Sequence, residues 1–250
     1  VDSETQPSDD RQPFVSIIIP AYNEEARLPE SLSLIAAFAQ SQPYPVEVVV
    51  VDNNSSDRTH AIVEEFADEV PYVRPLFEGT QGKVAAVRTG MLAARGAYRF
   101  VCDADLSMPI EEIVRFLPPQ LDHFDVAIGS REAPGAVRYD EPWHRHVMGR
   151  VFNTIVRLFA VHGFQDTQAG FKMFRAEVAE ALFPLQTLNG WSFDVEVLFL
   201  AQKRGYRIVE VPINWYYKAN TRIHPIRDSI DMFMDVLRIR WNALRGRYRT

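Results

Sequence analysis

The chain has 250 residues, 47% hydrophobic and 24% charged, the balance of an ordinary globular protein, and its length suits one large α/β domain or two small ones. A formal net charge of -6 argues against a dedicated nucleic-acid binder. The single cysteine, Cys102, excludes an intrachain disulfide and a cysteine zinc site and is compatible with a reducing compartment.

Residues 1–13 are polar, with Pro, Ser and Asp, and read as a disordered lead-in rather than a signal peptide. Residues 14–19 form a short apolar, β-branched run closed by Pro20, the pattern of a buried strand. A helical pattern follows from Asn23, with Leu28, Leu32, Ile35 and Phe38 on one side. Residues 46–51 predict a second strand, ending at Asp52. Ser55, Ser56 and Asp57 offer N-caps for a helix whose inner face carries Ile62, Val63 and Phe66. Residues 72–77 predict a third strand; Gly79 and Gly82 flank a loop before a helix with Val84, Val87, Met91 and Leu92. Residues 98–103 predict a fourth strand, with Cys102 as a small core residue. A helix is expected from Pro109, and a fifth strand over 125–129. Such alternation implies βαβ units and a parallel sheet covered on both faces.

From about residue 131 the rhythm changes. Residues 131–143 predict a loop, 146–162 a long helix with Val147, Val151, Ile155 and Leu158, and 171–174 and 208–211 strands around a helix over 195–203. Residues 214–225 read as a polar, aromatic loop and 226–245 as a last helix. We therefore expect a lead-in over 1–13, one domain over 14–225 that divides into 14–130 and 131–225 where the rhythm changes, and a basic amphipathic segment over 226–250.

Four strands end in polar residues: Pro20-Ala21-Tyr22-Asn23-Glu24, Asp52-Asn53-Asn54-Ser55-Ser56-Asp57, Asp103-Ala104-Asp105 and Gly129-Ser130-Arg131. In a parallel sheet these ends share one edge, where ligands of open α/β sheets bind. Asp103 and Asp105 put two hard oxygen donors where Mg²⁺ or Mn²⁺ on a phosphate would be held. The Gly-x-Gly-x-x-Gly fingerprint is missing after the first strand, which disfavours a simple nicotinamide dehydrogenase.

These motifs resemble the family 2 glycosyltransferases with a GT-A fold. The resemblance implies a Rossmann-like, mostly parallel sheet with helices on both faces and a C-terminal amphipathic helix. It also implies nucleotide-sugar contacts at Pro20, Ala21, Tyr22, Glu24, Asp52, Gly82, Lys83 and Ala104, and a metal between Asp103 and Asp105. Gly82-Lys83 keeps part of the family's Lys-Gly loop, but no Gly follows Lys83. Asp166-Thr167-Gln168-Ala169-Gly170-Phe171-Lys172 and the tail from Arg222 to Trp241 resemble the dolichyl-phosphate β-glucosyltransferases and polyprenyl-phosphate mannosyltransferases. The tail fits the glucosyl branch better, although Thr221-Arg222 stands where Ser-Lys is more usual. The implied reaction is inverting transfer of one hexose, glucose from UDP-glucose, to a polyprenyl or dolichyl phosphate. The implied location is peripheral, on the cytoplasmic side of a membrane.

A lipid phosphate acceptor is already ionised and needs cations rather than a base. Arg131, Arg138, Lys172 and Arg222 are candidates, with Gln168 and Trp191 beside the acceptor or sugar. Asp194 is open between a base, a sugar-orienting group and a helix cap. Leu237-Arg238-Ile239-Arg240-Trp241 lacks the Gln of the Gln-x-x-Arg-Trp motif of processive synthases, so a single transfer is expected. No stretch approaches the roughly 18–20 apolar residues of a membrane span. Instead Ile230, Phe233, Met234, Leu237, Trp241 and Leu244 form an apolar stripe in a segment where seven arginines face three aspartates from residue 222 onward. Such a helix suits contact with an anionic membrane surface, and 146–162, with Phe152 and Phe159, is a second candidate. The alternatives are a GDP-mannose donor, a sugar-hydroxyl acceptor with Asp194 as base, and a non-catalytic nucleotide-sugar-binding module.

Overall fold

The computed structural model describes residues 12–188, 193–218 and 225–248. The first half follows the expected alternation: β1 (Val15–Ala21), α1 (Leu28–Ser41), β2 (Val46–Asp52), α2 (Thr59–Glu69), β3 (Val73–Phe77), α3 (Lys83–Ala93), β4 (Tyr98–Val101) and β5 (Val126–Ser130). The apolar runs of β1 and β2, interrupted only by buried Ser16 and Glu47, are buried on both faces, as in a covered parallel sheet. On one face Ile18, Val49 and Val51 meet Val84, Val87 and Met91 of α3. On the other, Ile17, Ile19, Val48 and Val50 meet Leu28, Leu32 and Ile35 of α1 and Val63 of α2.

Two local expectations change. The helix expected from Pro109 is a 3₁₀ segment, Ile110–Phe116. Its buried residues, Ile110, Ile113 and Phe116, recur every three positions, which is the 3₁₀ period rather than the α period. At the start of α2 it is Asp57 whose Oδ1 accepts the Thr59 N–H, at 2.9 Å. Ser55 and Ser56 turn instead to Asn23.

The second half adds β6 (Val137–Tyr139), α4 (Trp143–Phe159), β7 (Lys172–Arg175), α5 (Ala176–Leu182), α6 (Phe193–Lys203), β8 (Ile208–Pro212), β9 (Asn214–Tyr216) and α7 (Pro225–Leu244). The segments expected as loops over 131–143 and 214–225 thus contain β6 and β9. These pair in parallel as a separate ribbon, with Tyr139 and Tyr216 stacked at 4.4 Å. Three-residue strands carry too little periodicity to be read locally; their pairing partner makes them strands.

The main sheet runs β3-β2-β1-β4-β7-β5-β8. β7 is antiparallel to β4 and β5, and every other pair is parallel. This reversal matters for the site. The C-terminal ends of β1, β2, β4 and β5 share one rim, and β7 enters that rim with its first residue. Lys172 therefore lies level with Val101 and Ile128. No helix among the described residues is long and apolar enough to cross a membrane.

Candidate active site

The loops on the donor side are tied to one another. Asn23, at φ 50°, is in the left-handed region that Asn tolerates better than most residues. There its N–H donates to Ser55 Oγ at 3.0 Å and its Oδ1 accepts the Ser56 N–H at 2.8 Å. Glu24 N–H donates to Thr59 Oγ1 at 2.8 Å, and the Glu24 carboxylate pairs with Arg27 at 2.6 Å. Asp52 is buried; Oδ1 accepts the Ser55 N–H at 3.2 Å and Oδ2 lies 3.4 Å from His60 Nδ1. Pro20 and Ala21 sit at the end of β1, and Tyr22 beyond them is half-exposed, 3.4 Å from Gln81 Nε2.

Sequence reasoning did not single out Asn53, yet it organises the next loop. Its Nδ2 donates to Glu78 O and Thr80 O, and its Oδ1 accepts the Gly82 N–H at 2.8 Å. Gly82 has φ 135°, a conformation side chains resist, so the loop turns there and starts α3 at Lys83. The available signal was an amide directly after the acid that closes β2.

Lys83 reaches across the rim to Asp103, Nζ to Oδ1 2.6 Å. Asp103 and Asp105 leave the sheet in a tight turn: Leu106 N–H donates to Asp103 O and Ser107 N–H to Asp105 Oδ1 at 2.9 Å. Buried Ala104 is fixed from α1, where Ser31 Oγ donates to its carbonyl at 2.7 Å. Asp194, in the first turn of α6, joins this group. It is buried, and Lys172 Nζ lies 2.6 Å from its Oδ1. Burial pushes the Asp194 carboxyl above the usual range, against the pull of Lys172 and Lys83. Burial opposes the charge on Lys83, but Asp103 and Asp194 outweigh it and raise its pKa. Three carboxylates and Lys83 therefore gather at the rim, with the Lys172 ammonium buried beneath them against Asp194.

The acceptor-side candidates divide. Arg131, just past β5, forms a two-pronged pair with Asp166: Nε to Oδ2 2.7 Å and Nη2 to Oδ1 3.1 Å. Its guanidinium also lies 5.3 Å from the Trp215 ring centre. Arg138 pairs with Glu132 and Glu141. Gln168 N–H donates to Asp166 Oδ1 at 3.1 Å, and its side chain lies 3.8 Å from Met232 Sδ on α7. Lys172, expected as an acceptor cation, is instead an interior residue at 1% exposure, donating to Ala169 O and neutralising Asp194. The reversed direction of β7 puts it beneath the rim. Trp191 and Arg222 lie outside the described residues.

Two further residues were missed. Glu210, the one charge in the apolar run of β8, accepts the N–H groups of Gln165 and Asp166 at 2.9 Å. Buried Asn153 of α4 donates to Gln165 O and accepts from Thr167 Oγ1. Both hold the 165–170 strap. The charged residue inside a strand was an available signal; Asn153, with Arg150 and Arg157 on its helix face, offered none.

The donor set fits a hard divalent cation. Asp103 and Asp105 offer oxygen ligands at a partly open rim, and no group of three or more His, Cys, Asp or Glu suited to a metal occurs among the described residues. The protein would supply two carboxylates and a bound diphosphate the remaining oxygens, the usual habit of Mg²⁺.

A mostly parallel sheet with helices on both faces, polar strand ends and an acid pair after β4 defines a GT-A-like glycosyltransferase architecture. The glycosyl transferase family 2 profile matches residues 16–183, and the chain belongs to that family. It is a glycosyltransferase. The chain is similar to the dolichyl-phosphate β-glucosyltransferase of Dictyostelium discoideum, 32% identical over 93% of this chain and 76% of that one. It is similar to the human enzyme of the same name, 30% identical over 98% of this chain and 81% of that one. Among solved structures, glucosyl-3-phosphoglycerate synthase from Mycobacterium tuberculosis, in complex with Mn²⁺, UDP-glucose and phosphoglyceric acid, superposes with a TM-score of 0.64. It is 18% identical, covering 94% of this chain and 80% of that one.

Proposed function

We propose that this glycosyltransferase transfers a single glucose from UDP-glucose to dolichyl phosphate or a related polyprenyl phosphate, with inversion and with Mg²⁺ or Mn²⁺. The similarity to dolichyl-phosphate β-glucosyltransferases over nearly the whole chain supports the acceptor and the sugar. The observation that carries the chemistry is the state of Asp194. A general base must be free to take a proton from a hydroxyl. Asp194 is buried and paired with an interior lysine, an arrangement that suits orienting the sugar and not proton transfer. A phosphate oxygen enters ionised and asks for no base.

In this reading the loops of Tyr22, Asp52 and Gly82 take the nucleotide, and Lys83 lies beside its diphosphate. Asp103 and Asp105 would hold the cation, and the chemistry it would supply there is neutralisation of charge on the leaving diphosphate. The acceptor oxygen forms its bond to the anomeric carbon as the bond from that carbon to the β-phosphate oxygen breaks, its electron pair leaving with UDP. Arg131 orders the acceptor side through Asp166. Exposed apolar side chains of α4 and α7 suit peripheral contact with an anionic membrane surface, where such a lipid resides.

The test is transfer of label from UDP-glucose and GDP-mannose, in parallel, to a short polyprenyl phosphate with Mg²⁺ or Mn²⁺. Glucosyl lipid is expected, and product from neither donor would refute the reading. Asp105→Ala should abolish transfer with the fold intact; full activity would remove its metal role.

A further inference from the structure

We infer that Gly170 is a positioning residue for the metal-binding carboxylate: Asp103 occupies the space a side chain at 170 would need. The inference rests on the reading that Asp103 holds the cation. A Cβ on Gly170 would lie 2.2 Å from Asp103 Oδ2, 2.9 Å from Cγ and 3.1 Å from Oδ1. All three carboxylate atoms are crowded, so rotating the group does not clear the clash. Gly170 is not in the left-handed region, so space and not backbone conformation demands glycine there.

The backbone at 170 is held on both sides. Upstream, Glu210 and Asn153 anchor residues 165–167, and Lys172 holds Ala169 O. Downstream, Phe171 O accepts the Gly129 N–H at 2.8 Å and β7 is paired on both edges. The strap cannot retreat, so the carboxylate must. Ordinary contact begins at 3.4 Å, which asks Oδ2 to move by about 1 Å. Metal–ligand distances tolerate only about 0.2 Å. The opposite oxygen is fixed by Lys83 at 2.6 Å. Asp103 is thus set between a lysine on one side and a bare backbone on the other. Through the same strap, the Arg131–Asp166 pair and the donor carboxylate are placed together.

Gly170→Ala should bind Mn²⁺ at least about 10-fold more weakly than wild type in the presence of UDP, read by electron paramagnetic resonance, with an unchanged circular dichroism spectrum. It should also lower Tm, and that loss should vanish in an Asp103→Ala background, where the obstruction is gone. If Gly170→Ala alone does not fold, the double variant should. Unchanged Mn²⁺ affinity in Gly170→Ala, an equal Tm loss in both backgrounds, or a double variant that also fails to fold would each overturn the inference. Unchanged Mn²⁺ affinity in Asp103→Ala would instead overturn the metal reading, and this inference with it.

Discussion

Asp166 and Asp194 are both buried acids on one rim, and they respond to pH in opposite senses. Burial raises the Asp166 pKa, but the Arg131 charge and its hydrogen bonds win and hold the carboxyl well below the usual range. An unfolded Asp titrates near about 3.9. A depressed folded pKa gives stability that is complete above that value and lost as pH falls through the folded pKa. Asp166→Asn should therefore lower Tm at pH 7 and flatten the dependence of Tm on pH below about 4. An acid slope identical to wild type would refute the assignment. Removing one partner of a buried pair costs about 3–5 kcal/mol. Arg131 is partly open, so Asp166→Ala belongs toward or below the lower end. Asp194 behaves the other way. Its pKa is raised by burial, so its contribution is present in acid and fades as pH rises through the folded pKa.

At the scale of elements, α4 and α7 both leave large apolar side chains exposed. On α4, Trp143, Val147 and Val151 recur every four residues on one helix face and are all exposed, Trp143 by 78%. On α7, Val236 and Ile239 pack inward, while Met234, Leu237, Trp241 and Leu244 face outward. Most of the expected C-terminal stripe is therefore not core. Arg238, Arg240 and Arg245 are exposed beside it, and Arg245 lies over the Trp241 ring at 4.5 Å. Basic residues flanking an exposed apolar row suit an anionic interface. Trp241→Ser with Leu244→Ser should lower partition onto vesicles containing phosphatidylserine by about 10-fold. High salt should weaken binding of the unaltered chain. Equal partition of the double variant would exclude α7 from the contact. The sequence pattern disclosed the stripe, but a row of apolar residues at helical spacing looks the same whether it faces a core or solvent.

At the scale of the whole molecule, the two halves are interleaved. β7 comes from the second half and sits between β4 and β5 of the first. Both neighbours of β5, β7 and β8, lie beyond residue 130. Within the second half, buried Glu196 of α6 ties the C-terminal turn to the chain before α6, accepting the Thr187 N–H at 3.0 Å and the Tyr248 hydroxyl at 2.7 Å. Burial, with Glu196, pushes the Tyr248 phenol up to about 12. We expect calorimetry to show one cooperative transition, and the 14–130 segment alone to lack dispersed amide resonances. Two separate transitions would contradict this. The β–α rhythm to residue 130, the polar strand ends and the acid pair were legible in the sequence, because each is written in consecutive residues whose periodicity and neighbours suffice. The reversed strand, the β6–β9 ribbon, the interior role of Lys172 and the contact of Gly170 with Asp103 were decided by tertiary structure alone. Each depends on which distant segment pairs with which, and hydrogen-bond partners and excluded volume across a sheet leave no mark on local spacing.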